Sequence, residues 1–488
     1  MDAVRLITDA VVRKRYAPAI LVGNTSLHLR FIDILVQDLR ENGYPPLMVL
    51  NNVTGVDLDR VHAYQEFEND SLEVQDSRDV GVLNCTLGNV YVNECDDVTL
   101  GNCTVGPCDG LYVMQSRNMT ISDCLFDSTC VFDMYHCNGV MLSNNTLLNI
   151  TTGVGLIYSD HVTLWSNTFL NCSLCVNPES LNGGHDPYRH LVAPDNNTVN
   201  GSPLVFLRDI QLLGEVPAGA GQLILYNVTG ATVTDYDLQR CTNPLSAMNC
   251  SDLRLSAVQL EWAYLGMIFS GCRDLVVSTC DLDHCLYGMM ALSSASVLFR
   301  GNTLNGSYYA DVSTMPGAGE CGICMRNCDG QAMGNGISSY YTALVLGETP
   351  GAQVLNNTIV HAEYGVRLIS SDGVQVSGNR LTGAGYGVYA ENSREANIKD
   401  SMIVQGRYGC FLSTSDRCYL LNNSISGCER YGICLFTGSD LNQIAGNALQ
   451  GNNGAGPQFS PSARQAYDKG AGNRWNGSSG GNTWGDWQ

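Results

Sequence analysis

The stretch "EYGVRLISSDGVQVSGNRLTGAGYGVYAENS", residues 363–393, restates itself after 22 positions. Tyr364-Gly365-Val366 returns as Tyr386-Gly387-Val388, and each copy leads into a short alternating segment. In Val374-Gln375-Val376 the alternation places the apolar side chains on one face of a strand. A unit this short cannot bury its own apolar face, so it has to stack on a copy of itself.

The repeat extends along most of the chain. An apolar residue, any residue, a Gly, Asn or Asp and then Asn or Cys recur at steps of mostly 21 or 22 residues. This period predicts an all-β fold, a right-handed parallel β-helix (solenoid) with coils of about 22 residues. A leucine-rich repeat has a similar period, but this chain has Gly, Asn and β-branched residues where that repeat needs leucines and a helix-like segment. Stacked coils lie about 4.8 Å apart, so the recurring Asn residues should form an inward ladder. Its predicted members are Asn145, Asn167, Asn302, Asn357, Asn379 and Asn423.

Breaks in the period divide the chain into segments. The first 19 residues have helical spacing and are expected to cap the first coil, whereas the last 38 are rich in Gly, Asn and Trp and lose the period. The predicted segments are a helical cap at 1–19, coils at 20–177, a linking insertion at 178–222, coils at 223–307, a Cys-rich insertion at 308–346, coils at 347–450 and a tail at 451–488.

The composition excludes some partners and favours one location. A formal charge of -21 argues against binding nucleic acid, which needs a basic surface. No stretch approaches the roughly 18 apolar residues of a membrane span. The N-terminus shows no signal peptide, so either a leader is missing from this sequence or export uses another route. Twenty-one cysteines and seventeen Asn-x-Ser/Thr sequons nevertheless favour an extracellular or cell-surface location.

Several sequons and cysteines are placed by the repeat itself. A sequon Asn that precedes an inward ladder residue should point outward and accept a glycan. The glycosylation candidates are Asn84, Asn102, Asn144, Asn356 and Asn422. Cysteines one period apart lie within the Cα distance that a disulfide accepts, although buried ladder cysteines often stay reduced. The predicted pairs are Cys103 with Cys124, Cys108 with Cys130, and Cys250 with Cys272.

Candidate catalytic and metal-ligating residues form three groups. Asp96 and Asp97 could serve glycoside hydrolysis, although Asp also favours turns. "GGHDPYRH" supplies His185, Asp186 and His190, either a base cluster of a lyase or epimerase or a solvated loop. The spacing Cys321-x-x-Cys324-x-x-x-Cys328 could hold zinc or copper, but disulfides are the simpler interpretation in an oxidising compartment. We therefore expect no cofactor.

Tryptophans mark the tail. Trp475, Trp484 and Trp487 lie among glycines and asparagines. Such side chains can stack on sugar rings, insert into a neighbouring subunit, or fold back to cover the apolar end of the last coil. They are the candidate assembly residues, and capping of the last coil is the competing role.

Two segments carry a resemblance to a known group. The segment "DNNTVNGSPLVFLRD...EVPAGAGQLILYNVTGATV" (195–233) resembles a linking segment of archaeal surface proteins built from parallel β-helix, pectate-lyase-like repeats. The tail "GNRWNGSSGGNTWGDW" (472–487) resembles the closing segment of the same group. These proteins are often labelled NosD-like, after a periplasmic copper-processing accessory protein. The resemblance implies a β-helix exposed outside an archaeal cell, and the group has no single established activity.

The leading functional hypothesis is a structural protein. It describes an extracellular component of an archaeal envelope, sheath or filament that associates with itself into a homopolymer or lattice through its tail and insertions. This hypothesis does not favour an enzyme. Two alternatives stay open: a carbohydrate-active enzyme (polysaccharide lyase, hydrolase or epimerase), and an accessory protein that binds glycans or metal.

Overall fold

The structure is a computed structural model. It describes residues 20–25, 29–32, 35–38, 46–65, 70–106, 110–127, 131–175, 186, 188–194, 196–306, 321–452, 464–477 and 480–485. The expected helical cap at 1–19 lies outside the described residues.

Every regular element in these ranges is a β-strand, and nearly all pairs are parallel. The chain divides into two compact units. The first comprises Met1–Leu207, Gly219–Tyr226 and Arg240–Ser246; the second comprises Arg208–Ala218, Asn227–Gln239 and Ala247–Gln488. In each unit successive strands pair with the strand one coil later, most often 22 residues on. The predicted all-β parallel β-helix is therefore confirmed.

Each coil of the first unit contributes a strand to three parallel sheets. The first sheet contains Ile20–Thr25, Met48–Asp59, Asp70–Gln75, Asn89–Asn93, Gly110–Met114, Val131–Tyr135, Val154–Ile157 and Leu174–Cys175. The second contains Leu29–Ile32, the end of Met48–Asp59, Arg78–Leu83, Asp96–Gly101, Arg117–Ser122, Asn138–Ser143 and Asp160–Trp165. The third contains Leu35–Asp38, His62–Gln65, Thr86–Leu87, Thr104–Val105, Leu125–Asp127, Thr146–Leu148, Thr168–Leu170 and Thr198–Val199.

The second unit repeats this arrangement with longer strands that bend around a corner. One sheet contains Gln211–Glu215, Thr229–Thr234, Ser251–Ser256, Arg273–Ser278, Ala295–Arg300, Gly330–Met333, Gln353–Leu355, Gln375–Ser377, Asn397–Lys399, Tyr419–Leu421 and Gln443–Ala445. The other faces contain Asp237–Gln239, Gln259–Ser270, Asp281–Leu292, Thr303–Asn305, Cys321–Arg326, Gly336–Gly347, Thr358–Ile369, Arg380–Thr382, Tyr386–Glu391, Met402–Val404, Tyr408–Ser413, Ser424–Ser426, Ile433–Leu435, Ala448–Gln450, Ala466–Asp468 and Thr483–Trp484. The remaining strands are Ser202–Arg208, Gln222–Tyr226, Leu245–Met248, Asn476–Gly477 and Gly480–Gly481.

The Asn ladder occupies one inner corner of the coils. Asn357 donates its side-chain amide to Oδ1 of Asn379 at 3.0 Å and to the Ala332 carbonyl at 2.9 Å. Its own Oδ1 accepts the backbone and side-chain N–H groups of Asn335. These bonds satisfy the buried side-chain amide of Asn357 and the backbone and side-chain N–H groups of Asn335. All six predicted members are buried, and Asn335 and Asn447 extend the series.

The segment boundaries differ from those drawn on the sequence. Cys321–Arg326 lies within the segment 308–346 and Gly336–Gly347 ends one residue beyond it, and both are regular coil strands. In the linking segment, Thr198–Val199 pairs in parallel with Thr168 and Phe169. The repeat was hidden because extra residues lengthen the step from Asn302 to Asn335, and the step from Asn167 to Asn197, to 33 and 30 residues.

The tail also forms part of the β-helix where the structure describes it. Ala466 pairs with Ile433, and Trp484 pairs with Leu449. Asn482 accepts the backbone N–H of Asn447 at 3.0 Å, which continues the Asn ladder. The tail therefore adds an irregular coil with Gly-rich corners, and this is why its sequence loses the period.

Candidate metal centre

A polar flank of the first unit lies where the strands of the second sheet begin. Asp96, Arg117, Asn138 and Asp160 are register partners in successive coils. The residue that follows each of them forms the corner and has a positive φ, 52° at His161. Asn, Asp and His adopt this backbone conformation more readily than other side chains, so the corner row is polar.

His190 joins this row from the next coil. Val192 forms a parallel bridge with Thr163, and its backbone N–H donates to the Val162 carbonyl at 2.9 Å. Because His190 precedes Val192 as His161 precedes Thr163, the two imidazoles occupy equivalent corners. Their rings stack with centroids 4.4 Å apart and planes 15° apart.

Asp160 links the two imidazoles. Its Oδ1 lies 2.6 Å from Nδ1 of His190 and accepts the backbone N–H of His161 at 3.0 Å. Its Oδ2 lies 3.5 Å from Nδ1 of His161. Partial burial acts to raise the pKa of Asp160, but the hydrogen bonds from His190 and from the His161 backbone outweigh it and hold that pKa below its usual value.

One donor atom from each of Asp160, His161 and His190 lies within 4.8 Å of the other two. Two imidazole nitrogens and a carboxylate oxygen suit copper, nickel or zinc. The His161 side chain is 58% exposed and that of His190 is 40% exposed, so further coordination positions face solvent. The set therefore offers three neighbouring donor atoms to a divalent transition metal.

The acids predicted for catalysis lie elsewhere on this flank. Asp96 is 3.5 Å from the Arg78 guanidinium and accepts a hydrogen bond from Asn118 at 3.0 Å. Asp97 is exposed at the corner. Three coils separate Asp96 from Asp160, about 14 Å at the spacing of a β-sheet. That distance exceeds the roughly 6.5–9.5 Å between the carboxylates of an inverting glycosidase, so Asp96 and Asp160 do not form such a pair.

The predicted His cluster contributes one residue to the site. His185 lies outside the described residues, and Asp186 accepts the backbone N–H of Tyr188 at 3.3 Å. Sequence reasoning found His190 and missed Asp160 and His161. A usable signal was present, because the sequence contains two Asp-His dipeptides, at 160–161 and 283–284.

Cys103 and Cys124, one of the predicted disulfide pairs, are free thiols in the structure. Cys103 and Cys124 do lie one coil apart, but the Cys103 backbone N–H donates to the Cys124 sulfur at 3.4 Å. The Cys124 thiol itself donates to the Ser122 carbonyl at 3.1 Å. Cysteine therefore takes the place of Asn in the ladder, and oxidation would break these contacts. Cys250 and Cys272 are also free thiols, whereas Cys108 and Cys130 lie outside the described residues.

The three cysteines of the predicted metal motif separate into two environments. Burial and the neighbouring Cys324 thiol both raise the pKa of Cys321. The Cys328 thiol instead donates to the Ala291 carbonyl at 3.2 Å, and its sulfur accepts the Ser294 backbone N–H. Burial raises the pKa of Cys328 to about 11, which keeps the thiol protonated near neutral pH. Among the described residues, the three thiols do not form a group whose donor atoms all lie within 4.8 Å of one another.

The outward sequon residues and the tail tryptophans are placed as follows. Asn84, Asn102, Asn144, Asn356 and Asn422 are all exposed, as predicted, and their glycosylation stays a prediction.

The Trp475 indole donates to Asp468 at 2.8 Å. Asp468, Trp475 and Trp484 line part of an open cavity of about 270 Å³. Trp487 lies outside the described residues.

Comparisons with known proteins give one family. The family model described as periplasmic copper-binding protein (NosD) matches residues 47–183 and 313–488, more than half of the chain. No curated protein matches. No helix in the described ranges is long and apolar enough to cross a membrane.

Solved β-helix proteins are similar at low identity. The tailspike protein of E. coli bacteriophage HK620 in complex with pentasaccharide is 9% identical, with 93% of this chain and 72% of that chain covered and a TM-score of 0.23. The A-module of Azotobacter vinelandii mannuronan C-5 epimerase AlgE4 is 11% identical, with 83% and 88% covered and a TM-score of 0.22. At these TM-scores the similarities carry no argument about function.

Proposed function

The chain belongs to the family of periplasmic copper-binding proteins (NosD), and from that premise we propose that it is an exported accessory protein that binds copper as cargo. The ligands are Asp160, His161 and His190. The family description supports both the metal and a location outside the cytoplasm. The cysteine content and the sequons point to the same location.

One observation carries this proposal. The linking segment returns to the coil stack so that His190 lies over His161, with its Nδ1 2.6 Å from Asp160. A step of 30 residues from Asp160 to His190 thus places a second imidazole beside an Asp-His corner. Copper(II) binds nitrogen and oxygen donors more strongly than the other divalent first-row metals do.

Asp160, His161 and His190 have different roles in binding the ion. The Asp160 carboxylate fixes the His190 ring by its hydrogen bond and supplies an oxygen donor. Carboxylates that orient metal-binding imidazoles typically change metal affinity by about 10–100-fold. The exposed edges of His161 and His190 leave room for an incoming ligand, which suits release of the ion to a partner.

Calorimetric titration with Cu²⁺ in a glycine buffer tests this proposal, since glycine competes away weak surface binding. We expect His190→Gln to weaken one binding event at least tenfold. His136→Gln is the matched control, because His136 is also an exposed corner histidine with a φ of 55° and is not part of a ligand cluster. Equal copper affinity in the wild type and the His190 variant would refute the site.

We propose, as a second function, that the protein also assembles into an envelope layer, sheath or filament of the archaeal kind that the resemblance implies. The observation that favours it is the last coil, where Trp475 and Trp484 are half-exposed beside the 270 Å³ cavity. Aromatic side chains in such positions often anchor protein interfaces. Trp484 also covers part of the last coil, so both roles use the same side chain.

Sedimentation velocity separates these two roles of Trp484. We expect the wild type to form species larger than the monomer and Trp484→Ala to shift them toward the monomer. Thermal unfolding of the same variant is the control, since loss of a cap alone lowers stability without changing the association. A monomeric wild type at micromolar concentration would contradict assembly.

A further inference from the structure

A second Asp-His corner lies in the second unit. Glu261 and Asp283 are register partners in adjacent coils, and His284 follows Asp283 at the corner with a φ of 52°. One donor atom from each of these three residues lies within 4.8 Å of the other two. As in the first unit, the backbone N–H of the corner histidine donates to the preceding carboxylate, here at 3.1 Å.

The imidazole of His284 has an unsatisfied nitrogen. Its Nδ1 is shielded from solvent and makes no hydrogen bond, although Oδ2 of Asp283 is only 3.0 Å away. The two atoms are thus close without the alignment of a hydrogen bond. A shielded lone pair beside a carboxylate oxygen is unfavourable unless a proton or a cation lies between them. The distance suits two ligands of one metal ion.

Neighbouring side chains hold this arrangement in place. The Asn305 amide donates to Oδ1 of Asp283 at 2.8 Å and is itself held by Ser338. The Trp262 indole stacks on the His284 ring with centroids 4.2 Å apart. It also donates to the Glu261 carboxylate at 2.9 Å. Such surrounding contacts orient the ligands of metal sites.

We propose that Glu261, Asp283 and His284 form a second site for a divalent transition metal. This inference rests on the proposed function only for the identity of the ion, copper. The three ligands lie between the residue ranges that match the family, so the match does not assign them. With one imidazole and two carboxylates, this site is harder than the first and should hold copper less tightly.

Trp262 provides a direct readout of this site. A Cu²⁺ ion bound to His284 lies close to the stacked indole and should quench its fluorescence. We expect Cu²⁺ titration of the wild type to quench a component that is absent from Trp262→Phe. The same component should be lost in His284→Gln and in Asp283→Asn, and it should persist in His190→Gln. Quenching that is unchanged in both His284→Gln and Asp283→Asn would overturn the proposal.

Stoichiometry separates the two sites. The wild type should bind two copper ions, and His190→Gln and His284→Gln should each bind one. One ion that is lost only in the His190 variant would overturn the second site and leave the proposed function intact. A single bound ion that is lost only in the His284 variant would support the second site and contradict the proposed function. Circular dichroism of each variant confirms that the β-helix is folded.

Discussion

His190 Nδ1 lies 2.6 Å from Oδ1 of Asp160, although 30 positions separate the two residues in the sequence. The contact exists because Val192 forms an isolated parallel bridge with Thr163 of the strand Asp160–Trp165. Coil register therefore assembles the site, and the loop that precedes His190 need only reach the next coil. Any change that shifts this register should disturb the site without touching its ligands.

The Asn ladder should be the most sensitive polar element of the fold. Asn357→Ala removes the donor to Ala332 and the acceptor of two Asn335 N–H groups. Because buried groups left without partners each cost about 1–3 kcal/mol, we expect a loss of about 3 kcal/mol in the free energy of unfolding, measured with urea.

The neighbouring position provides the control for this variant. Asn356→Gly keeps the positive φ of the corner, where Gly378 takes the equivalent place one coil later. Its side chain is exposed, so we expect little change in stability. If Asn356→Gly costs as much as Asn357→Ala, the ladder is not what holds the corner.

Close packing at one glycine row gives a second prediction. A Cβ at Gly387 would lie 2.5 Å from the Gly409 carbonyl oxygen and 2.5 Å from the Ile403 side chain. Gly387→Ala should therefore cost about 2 kcal/mol or more, since a packed core relaxes poorly around added atoms. Gly336→Ala is the control, because nothing lies within 4 Å of its Cβ. Equal thermal midpoints for the two variants would contradict this packing.

The partly buried carboxyl of Asp133 predicts how stability depends on pH. Desolvation raises the pKa of Asp133 from 3.8 to about 6. The folded state therefore holds this proton more tightly, and the stability that it contributes is complete below pH 3.8 and is lost as the pH rises through 6. Asp133→Asn should stabilise the protein by about 3 kcal/mol at pH 7, from a shift of roughly two pKa units.

The test of this prediction is urea unfolding of Asp133→Asn and the wild type between pH 3.5 and 8. The gain should shrink toward zero below about pH 4, where the wild-type carboxyl is neutral in both states. Asp97→Asn, at an exposed corner, serves as the control substitution. A gain for Asp133→Asn that is constant over this range would show that charge burial is not its cause.

The role of Asp160 gives a fourth prediction. Asp160→Asn preserves the size of the side chain but removes the charge that holds the His190 ring. We expect the copper affinity of the first site to fall by about 10–100-fold while the fold is retained. Calorimetric titration measures the change, and Asn138→Ala, one coil away on the same row, is the control. An unchanged affinity would remove Asp160 from the site.

Much of the fold was readable from the sequence because the repeat dictates it. The ladder at Asn145 and Asn167 and the outward sequon at Asn144 follow from a period of about 22 and from strand alternation alone. Asn335 was missed because the step from Asn302 is 33 residues rather than 22. Pattern reading finds coils of regular length and loses those with an inserted loop.

The candidate site was less readable for a different physical reason. His190 was noted as part of a local cluster, but its partners lie one coil away and become neighbours only through register. Asp160 and His161 resemble an ordinary polar corner, since Asp and His both tolerate turn conformations. Asp96 and Asp97 drew attention as adjacent acids, yet the structure leaves Asp97 exposed and Asp96 paired with Arg78.

The central claim is that His161 and His190 bind one copper ion together. Pulsed electron paramagnetic resonance of Cu²⁺ in the His284→Gln variant, which retains only the first site, counts the imidazoles that coordinate the ion. We predict two coordinating imidazoles in that variant, and we predict that this two-imidazole signal is lost when His190→Gln is added. The same imidazole count with and without His190 would contradict the claim.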